Sequence, residues 1–218
     1  LALSIAHNIE NVAKAARATN HFNIEDNLIQ CRAKSRIPKE AKSVIVYLFP
    51  YYLGDDSYKK LNISKYAVPD DYHIIVGAYL EKAAGEFKER YPDNSFEPFC
   101  DNSPIPEVKA AVLSGIGVKG DNGLLINEKY GSFCFIGEIV TDLEITPTTA
   151  SKTECLKCGK CKKACPDGAI GDGFCKEKCF SHLTQKKGEL NERTAEFIRK
   201  NGCIWGCDNC QTVCPMNE

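Results

Sequence analysis

The chain reads as an α/β (α+β) domain with a mixed sheet flanked by helices, followed by a small cysteine-rich module. Three observations lead there. β-prone apolar runs alternate with helical segments through the first 150 of its 218 residues. Only Cys31, Cys100 and Cys134 fall in that part, whereas the other ten of the thirteen cysteines crowd into 155–214. Between the two compositions lies TPTTAS at 146–151, a Pro/Thr/Ser connector without hydrophobic periodicity. The boundary is therefore set there, with the α/β domain over 1–147 and the cysteine module over 148–218.

Asn8–Ala18 has the pattern of an opening helix. Ser43–Phe49 (SVIVYLF) is a continuous β-prone run bounded by charge and by Pro50, as a buried strand is. Asp70–Arg90 reads as a helix, acidic at its start and ended by Tyr91-Pro92, with apolar positions Ile74, Ile75, Ala78, Ala84 and Phe87. Pro106–Leu113 is a shorter helix stopped by Gly115 and Gly117. Leu124–Ile126 and Phe133–Val140 read as strands separated by a turn at Gly131.

Composition narrows the class. Hydrophobic content of 43% and charged content of 26% are ordinary for a globular protein. No apolar run of about 18 residues occurs, so no membrane span is predicted. The start, LALSIAHNIE, has neither the charged n-region nor the cleavage site of a secretion signal, and no initiator Met. A disulfide framework suits small secreted domains; the uneven placement of these cysteines argues against one and for a reducing cytoplasm. Charge is uneven too. Residues 1–150 carry 16 basic and 20 acidic side chains, and 151–218 carry 12 and 9. The excess of lysine in the second part matches the negative charge that thiolate-bound iron–sulfur clusters bring.

The cysteine spacing is specific. Cys155-x2-Cys158-x2-Cys161-x3-Cys165-Pro166 is the run of two-cluster bacterial ferredoxins, in which three thiolates hold one [4Fe–4S] cube and the fourth turns to the other. Cys207-x2-Cys210-x3-Cys214-Pro215 is a shortened second copy. By the same exchange Cys214 completes the first cluster, and Cys165, Cys207 and Cys210 belong to the second. Its fourth ligand is Cys175, Cys179 or Cys203, and spacing does not choose among them. Zinc also takes paired Cys-x2-Cys knuckles, but it requires neither three cysteines at this spacing nor Cys-Pro closing both copies. Two clusters in one module form a short electron wire, and a wire fused to a larger domain implies something to reduce there.

Several segments together resemble the epoxyqueuosine reductases, cobalamin-dependent iron–sulfur enzymes related to the reductive dehalogenases. They are AKSVIVYLFPYY (41–52), KYAVPDDYH (65–73), CDNSPIPE (100–107), GIGVKGDNGLLIN (115–127), GSFCFIGEIVTDLE (131–144) and GCDNCQTVCPMN (206–217). The resemblance implies a base-off cobalamin between the α/β domain and the ferredoxin-like module, supplied with electrons through the clusters. It further implies an external donor of flavodoxin or ferredoxin type, and a tRNA carrying epoxyqueuosine as substrate. The family's proton donor, the Asp of V-D-x-x-P, corresponds to Asp101; the reading from residues alone is an Asp that caps the following helix. Cys179-Phe-Ser-His-Leu-Thr184 matches the family's segment for the missing ligand, which makes Cys179 the fourth thiolate and Cys203 the runner-up. Tyr66, Asp71, Tyr72, His73, Gly115, Gly117, Asn122 and Ser181 fall on matched positions and are assigned to the cofactor pocket or its support.

The match departs on the substrate side. Where the family has Y-A-R-G-R-D-Y-H, this chain reads Tyr66-Ala-Val68-Pro69-Asp70-Asp71-Tyr72-His73, without two arginines. A third is lost where P-V-L-E-R becomes Pro104-Ile-Pro106-Glu107-Val108. The family's G-L-G-W-x-G-K-N becomes Gly115-Ile-Gly-Val118-Lys119-Gly-Asp121-Asn122, without the Trp and with the Lys moved. Arginine grips phosphate bidentately, so these losses weaken the expectation of tRNA while leaving electron transfer untouched. The competing reading is an electron-transfer protein, or a reductase of a partner's corrinoid.

Overall fold

Strand β1 (Ser43–Pro50) is where β-branched and aromatic residues run without a break, and six of its eight residues are buried. The computed structural model describes residues 37–52 except 39, 61–145 except 102, and 153–217. The expected helix over Asn8–Ala18, Cys31 and the connector at 146–151 lie outside these. The described residues group into two compact units. One contains Tyr72–Val118 and the segments ending at Phe49 and beginning at Phe135; the other gathers Pro50–Asp71, Lys119–Cys134 and Glu154–Glu218.

In the first unit, β1 lies beside β5 (Cys134–Thr141), and β5 in turn pairs with β2 (Phe96–Cys100), giving the order β1-β5-β2. The β2–β5 pair is antiparallel, with Pro98 opposite Ile139 and Phe99 opposite Glu138. Strand β2 escapes sequence reading because Pro98 interrupts it. In this three-stranded order it is at the edge, where a residue without an N–H is tolerated.

Helix α1 (Tyr72–Arg90) packs onto this sheet through Val76, Leu80 and Ala84, one residue per turn along a single stripe. The helix starts two residues later than the charge pattern suggests, and its inner face differs from the apolar positions read from sequence: Ile74 is 71% exposed and Ala78 is exposed as well. Ile45, Tyr47, Phe96 and Ile139 complete the core with the helix stripe. Helix and sheet approach closely at Gly137, where a Cβ would lie 2.9 Å from Leu80 Cδ1 and 3.0 Å from Phe49 Cε2. Helix α2 (Glu107–Leu113) buries Ala110 and Ala111.

The second unit is held by short segments tied side by side. Strands β3 (Val118–Lys119) and β4 (Leu125–Ile126) make a two-stranded ladder, closed by the Gly120 N–H to Leu124 carbonyl bond of 2.8 Å. Ser64 and Ile204 donate backbone N–H groups to Trp205 and Asn62. Gly206, with φ of +83°, passes so close to the Ser64 side chain and the Tyr66 ring that no Cβ fits. Helices α3 (Lys160–Ala164), α4 (Phe180–Thr184), α5 (Glu192–Asn201) and α6 (Asn209–Thr212) follow in the cysteine-rich part. Phe180 stacks on Phe197 at 3.6 Å between centroids, joining α4 to α5. Asn191 caps α5 by accepting the Thr194 N–H, and Gly202 ends it in the left-handed region.

Leu80→Ala empties the centre of the first core and is expected to cost about 2–5 kcal/mol in denaturant unfolding. Gly137→Ala overpacks the same contact and is expected to cost about 1–3 kcal/mol.

Candidate functional sites

Eleven thiols fall in the second unit, ten of them from Cys155 to Cys214. Cys155, Cys158, Cys161 and Cys214 line one cavity together with Ile126, Asn122 and Met216. Around Cys210 gather Cys207, Cys179 and Cys165, whose thiolate charges, with that of Cys161, oppose its ionisation. Burial is the larger cause and pushes the Cys210 thiol up to about 12; it pushes Cys207 up to about 11. Positive iron is what offsets such costs, since a thiolate ligand must lose its proton to bind. Among the described residues no three Cys, His, Asp or Glu side chains form a group able to hold a single ion.

Local structure sets these positions. Cys161 lies in α3, which starts after Gly159 in the left-handed region. Cys179 precedes α4, and Cys210 is in α6. Cys165 Sγ accepts the Ala169 N–H at 3.2 Å, a bond of the kind that tunes cluster potentials. The two remaining thiols have other partners. Cys203 points its Sγ at the carbonyls of Trp205 and Gly206, at 3.4 and 3.5 Å, and Cys175 is 3.6 Å from Glu177.

The loop carrying Cys207 and Cys210 is fixed by groups that sequence reading passed over. Lys65 is 95% buried, with Nζ 4.9 Å above the rings of both Tyr52 and Phe133 and 3.4 Å from Thr212 Oγ1. Its backbone N–H donates to Asp208 Oδ2 at 2.8 Å. Gln211 accepts hydrogen bonds from Tyr51 and Ser132, and Asn217 bonds to both Ser132 and the Gln211 carbonyl. Asn122 is buried and receives the Leu124 N–H, which shapes the turn beside the first cavity. Ser181 is held by Gln185 at 3.1 Å from its hydroxyl, and Tyr66 borders Gly206.

In the first unit Asp101 ends β2 with φ of +51°, a conformation costly for a residue with a Cβ. His73 Nε2 is 3.1 Å from Asp101 Oδ2, and the Tyr72 hydroxyl bonds to the same carboxyl. Tyr72 stacks between His73 and Phe135 at 4.0 and 4.2 Å. Asp101 does not cap α2. The cap position is Pro106, which has no side-chain bond, and it is the Asp101 backbone that bonds to the Glu107 carboxylate. Asp71 is exposed just ahead of α1, while Gly115 and the buried Gly117 follow α2.

Glu107 and Glu138 were not singled out from sequence, although an ionisable residue inside FIGEIV is itself a signal. Glu138 is fully buried, and burial pushes its carboxyl up to about 8 against a single bond from Ser103. Burial also pushes Glu107 up to about 7, helped by the Asp101 charge.

Comparisons with known proteins fall along the same segments. Residues 32–102 match the family model described as "Epoxyqueuosine reductase QueG, DUF1730", and residues 154–217 match the "4Fe-4S double cluster binding domain". An epoxyqueuosine reductase of Cyclobacterium marinum is 36% identical over 216 residues, covering 94% of this chain and 66% of its own length. One from Listeria monocytogenes is 38% identical over 68% of this chain and 39% of its own length. The chain thus spans from about two-fifths to just under two-thirds of these relatives. The Streptococcus thermophilus epoxyqueuosine reductase structure superposes with a TM-score of 0.77, at 27% identity, over 100% of this chain and 59% of that one. That from Bacillus subtilis, with its catalytic aspartate loop swung out of the active site, gives 0.73 at 25% identity over 96% of this chain and 65% of that one. No helix among the described residues is long and apolar enough to cross a membrane.

Glu138 sets a pH dependence of stability. Its folded pKa of about 8 lies above the usual 4.5, so the folded chain keeps a proton that the unfolded chain releases. Stability is then fully present below about pH 4.5 and falls by at most about 1.4 kcal/mol per pH unit until the loss levels off above about pH 8. Glu138→Gln is expected to flatten that slope in urea unfolding followed from pH 5 to pH 8.

Proposed function

The chain belongs to the epoxyqueuosine reductase family, and on that premise we propose that it is an oxidoreductase carrying two [4Fe–4S] clusters and a bound cobalamin. The observation that carries the reading is the grouping of thiols: four line one cavity and another three surround Cys210. We assign Cys155, Cys158, Cys161 and Cys214 to the first cluster, and Cys165, Cys179, Cys207 and Cys210 to the second. The bonds made by Cys203 and Cys175 support leaving both outside the ligand sets. The clusters supply one-electron steps, drawn from an external flavodoxin- or ferredoxin-type donor. Cobalamin, when bound, supplies the cobalt centre at which those electrons reach the substrate.

Within the chain the chemistry assigned to Asp101 is proton delivery. Removing an epoxide oxygen as water consumes protons as well as electrons, and a carboxyl held by His73 and Tyr72 is suited to give one. His73 has its Nε2 engaged with Asp101, which favours a proton-handling role over cobalt ligation. Tyr66, Asp71, Tyr72, Gly115, Gly117, Asn122 and Ser181 are proposed to contact or support the cofactors. The substrate is proposed to be epoxyqueuosine in tRNA. A homologous epoxyqueuosine reductase is known in complex with an epoxyqueuosine-modified tRNA stem loop, although that protein, at 24% identity, supports this chain's fold alone.

Anaerobic reconstitution tests the reading. It is expected to give about eight iron atoms per chain, and Cys210→Ser about four with the EPR signal of one cluster. Cobalamin titration should give stoichiometric binding by absorbance. Two clusters without cobalamin binding would instead indicate an electron-transfer protein. Asp101→Asn is expected to lower turnover of an epoxyqueuosine stem loop by about 10²–10⁴-fold while leaving both clusters and cobalamin affinity intact.

A further inference from the structure

Between β2 and α2, Asp101 and Ser103 each bond to a glutamate carboxyl group. Ser103 Oγ donates to Glu138 Oε2 and at the same time accepts the Ile105 N–H at 3.1 Å. The Asp101 backbone bonds to Glu107 at the start of α2. Glu138 lies opposite Phe99 in the β2–β5 register, two residues before Asp101. Three carboxyls on three elements are thereby linked in sequence, each sensing the charge of the next.

Two of them lack the partners a buried carboxylate needs. Oε1 of Glu107 and Oε1 of Glu138 are both buried without a hydrogen bond, and neither residue forms an ion pair among the described residues. The titratable groups around them are Asp101 beside Glu107, His73 and Tyr72 bonded to Asp101, and Cys100 beside Tyr72, which also senses Glu107 directly. Two adjacent buried carboxylates repel each other, and a proton held on one of them relieves both the repulsion and the burial cost.

We propose that Glu107 and Glu138 together retain at least one proton at neutral pH and serve as the reserve from which Asp101 is reprotonated. In the transfer the O–H bond of Glu107 breaks and an O–H bond forms on the Asp101 carboxylate. Glu107 then recovers a proton from Glu138 or, being only partly buried, from water. The two glutamates act through Asp101 and are positioning residues. The reserve role rests on the reading of Asp101 as donor; the retained proton does not.

The two parts are tested separately on the full chain. Carboxyl NMR of ¹³C-glutamate-labelled protein is expected to show two resonances titrating near pH 7 and 8, apart from the remaining glutamates. Glu138→Gln and Glu107→Gln, which preserve shape, should each remove one resonance, and Glu107→Gln should also shift that of Glu138 downward. Finding every glutamate ionised by about pH 6 would overturn the retained proton, whatever the turnover. For the reserve, Glu107→Gln is expected to lower kcat about tenfold or more with KM unchanged, to move the alkaline limb of the pH profile, and to be partly rescued by Glu107→Asp. An unchanged kcat and pH profile in both glutamine variants would overturn it. So would full turnover by Asp101→Asn, with the NMR titration still reporting on the glutamate pair by itself.

Discussion

Crowded thiols are the constraint on which the second unit depends. Sulfurs brought close enough to share a cube repel as thiolates, and burial opposes the charge of Cys207 and Cys210 further. A chain can hold them together only by fixing the backbone around them through other contacts. That is what Lys65, Gln211 and Asn217 do. A lysine between two aromatic rings binds the Asp208 loop through its own backbone, and the two amides tie the segment after Cys210 to Ser132. None of the three is a ligand, yet each determines where ligands stand.

The same logic, inverted, describes the first unit. Its helix and sheet form a conventional apolar core around Leu80 and Ile139, and the exceptions gather at one end. Asp101 adopts a backbone conformation that costs energy, and the glutamates bonded to Asp101 and Ser103 each keep one oxygen unpartnered. Buried polar atoms without partners are rare because they cost about 1–3 kcal/mol each. Under the proposed function, their concentration beside a strained aspartate is the place where stability gives way to chemistry.

Under the proposed function the two descriptions divide the work, the thiols of one unit carrying electrons and the carboxyls of the other supplying protons. The departures from the family pattern are divided: Asp121, in the altered 115–122 segment, lines the first thiol cavity, whereas the positions of the lost arginines do not. The missing arginines fall at Val68, Asp70 and Val108, outside the thiol groups and the carboxyl chain. Under the proposed function those substitutions bear on recognition of the substrate, where Arg and phosphate would meet.

From sequence alone the cysteine module was legible as a double [4Fe–4S] domain, because cluster ligation demands short fixed spacings that survive without knowledge of the fold, while spacing left the fourth ligand of the second cluster open. The long helix and strands β1 and β5 were legible too, since their apolar runs are long. Strand β2 was not, because Pro98 disguises an edge strand, and neither was the buried face of α1, where Ile74 proved exposed and Val76 and Leu80 buried. Only the tertiary structure decided that 50–71 and 119–134 gather with the cysteines. Only it brought His73 to Asp101 across 28 positions, and Ser103 to Glu138 across 35. Such contacts depend on strand register and helix packing, which couple residues far apart in the chain and leave no local periodicity to read.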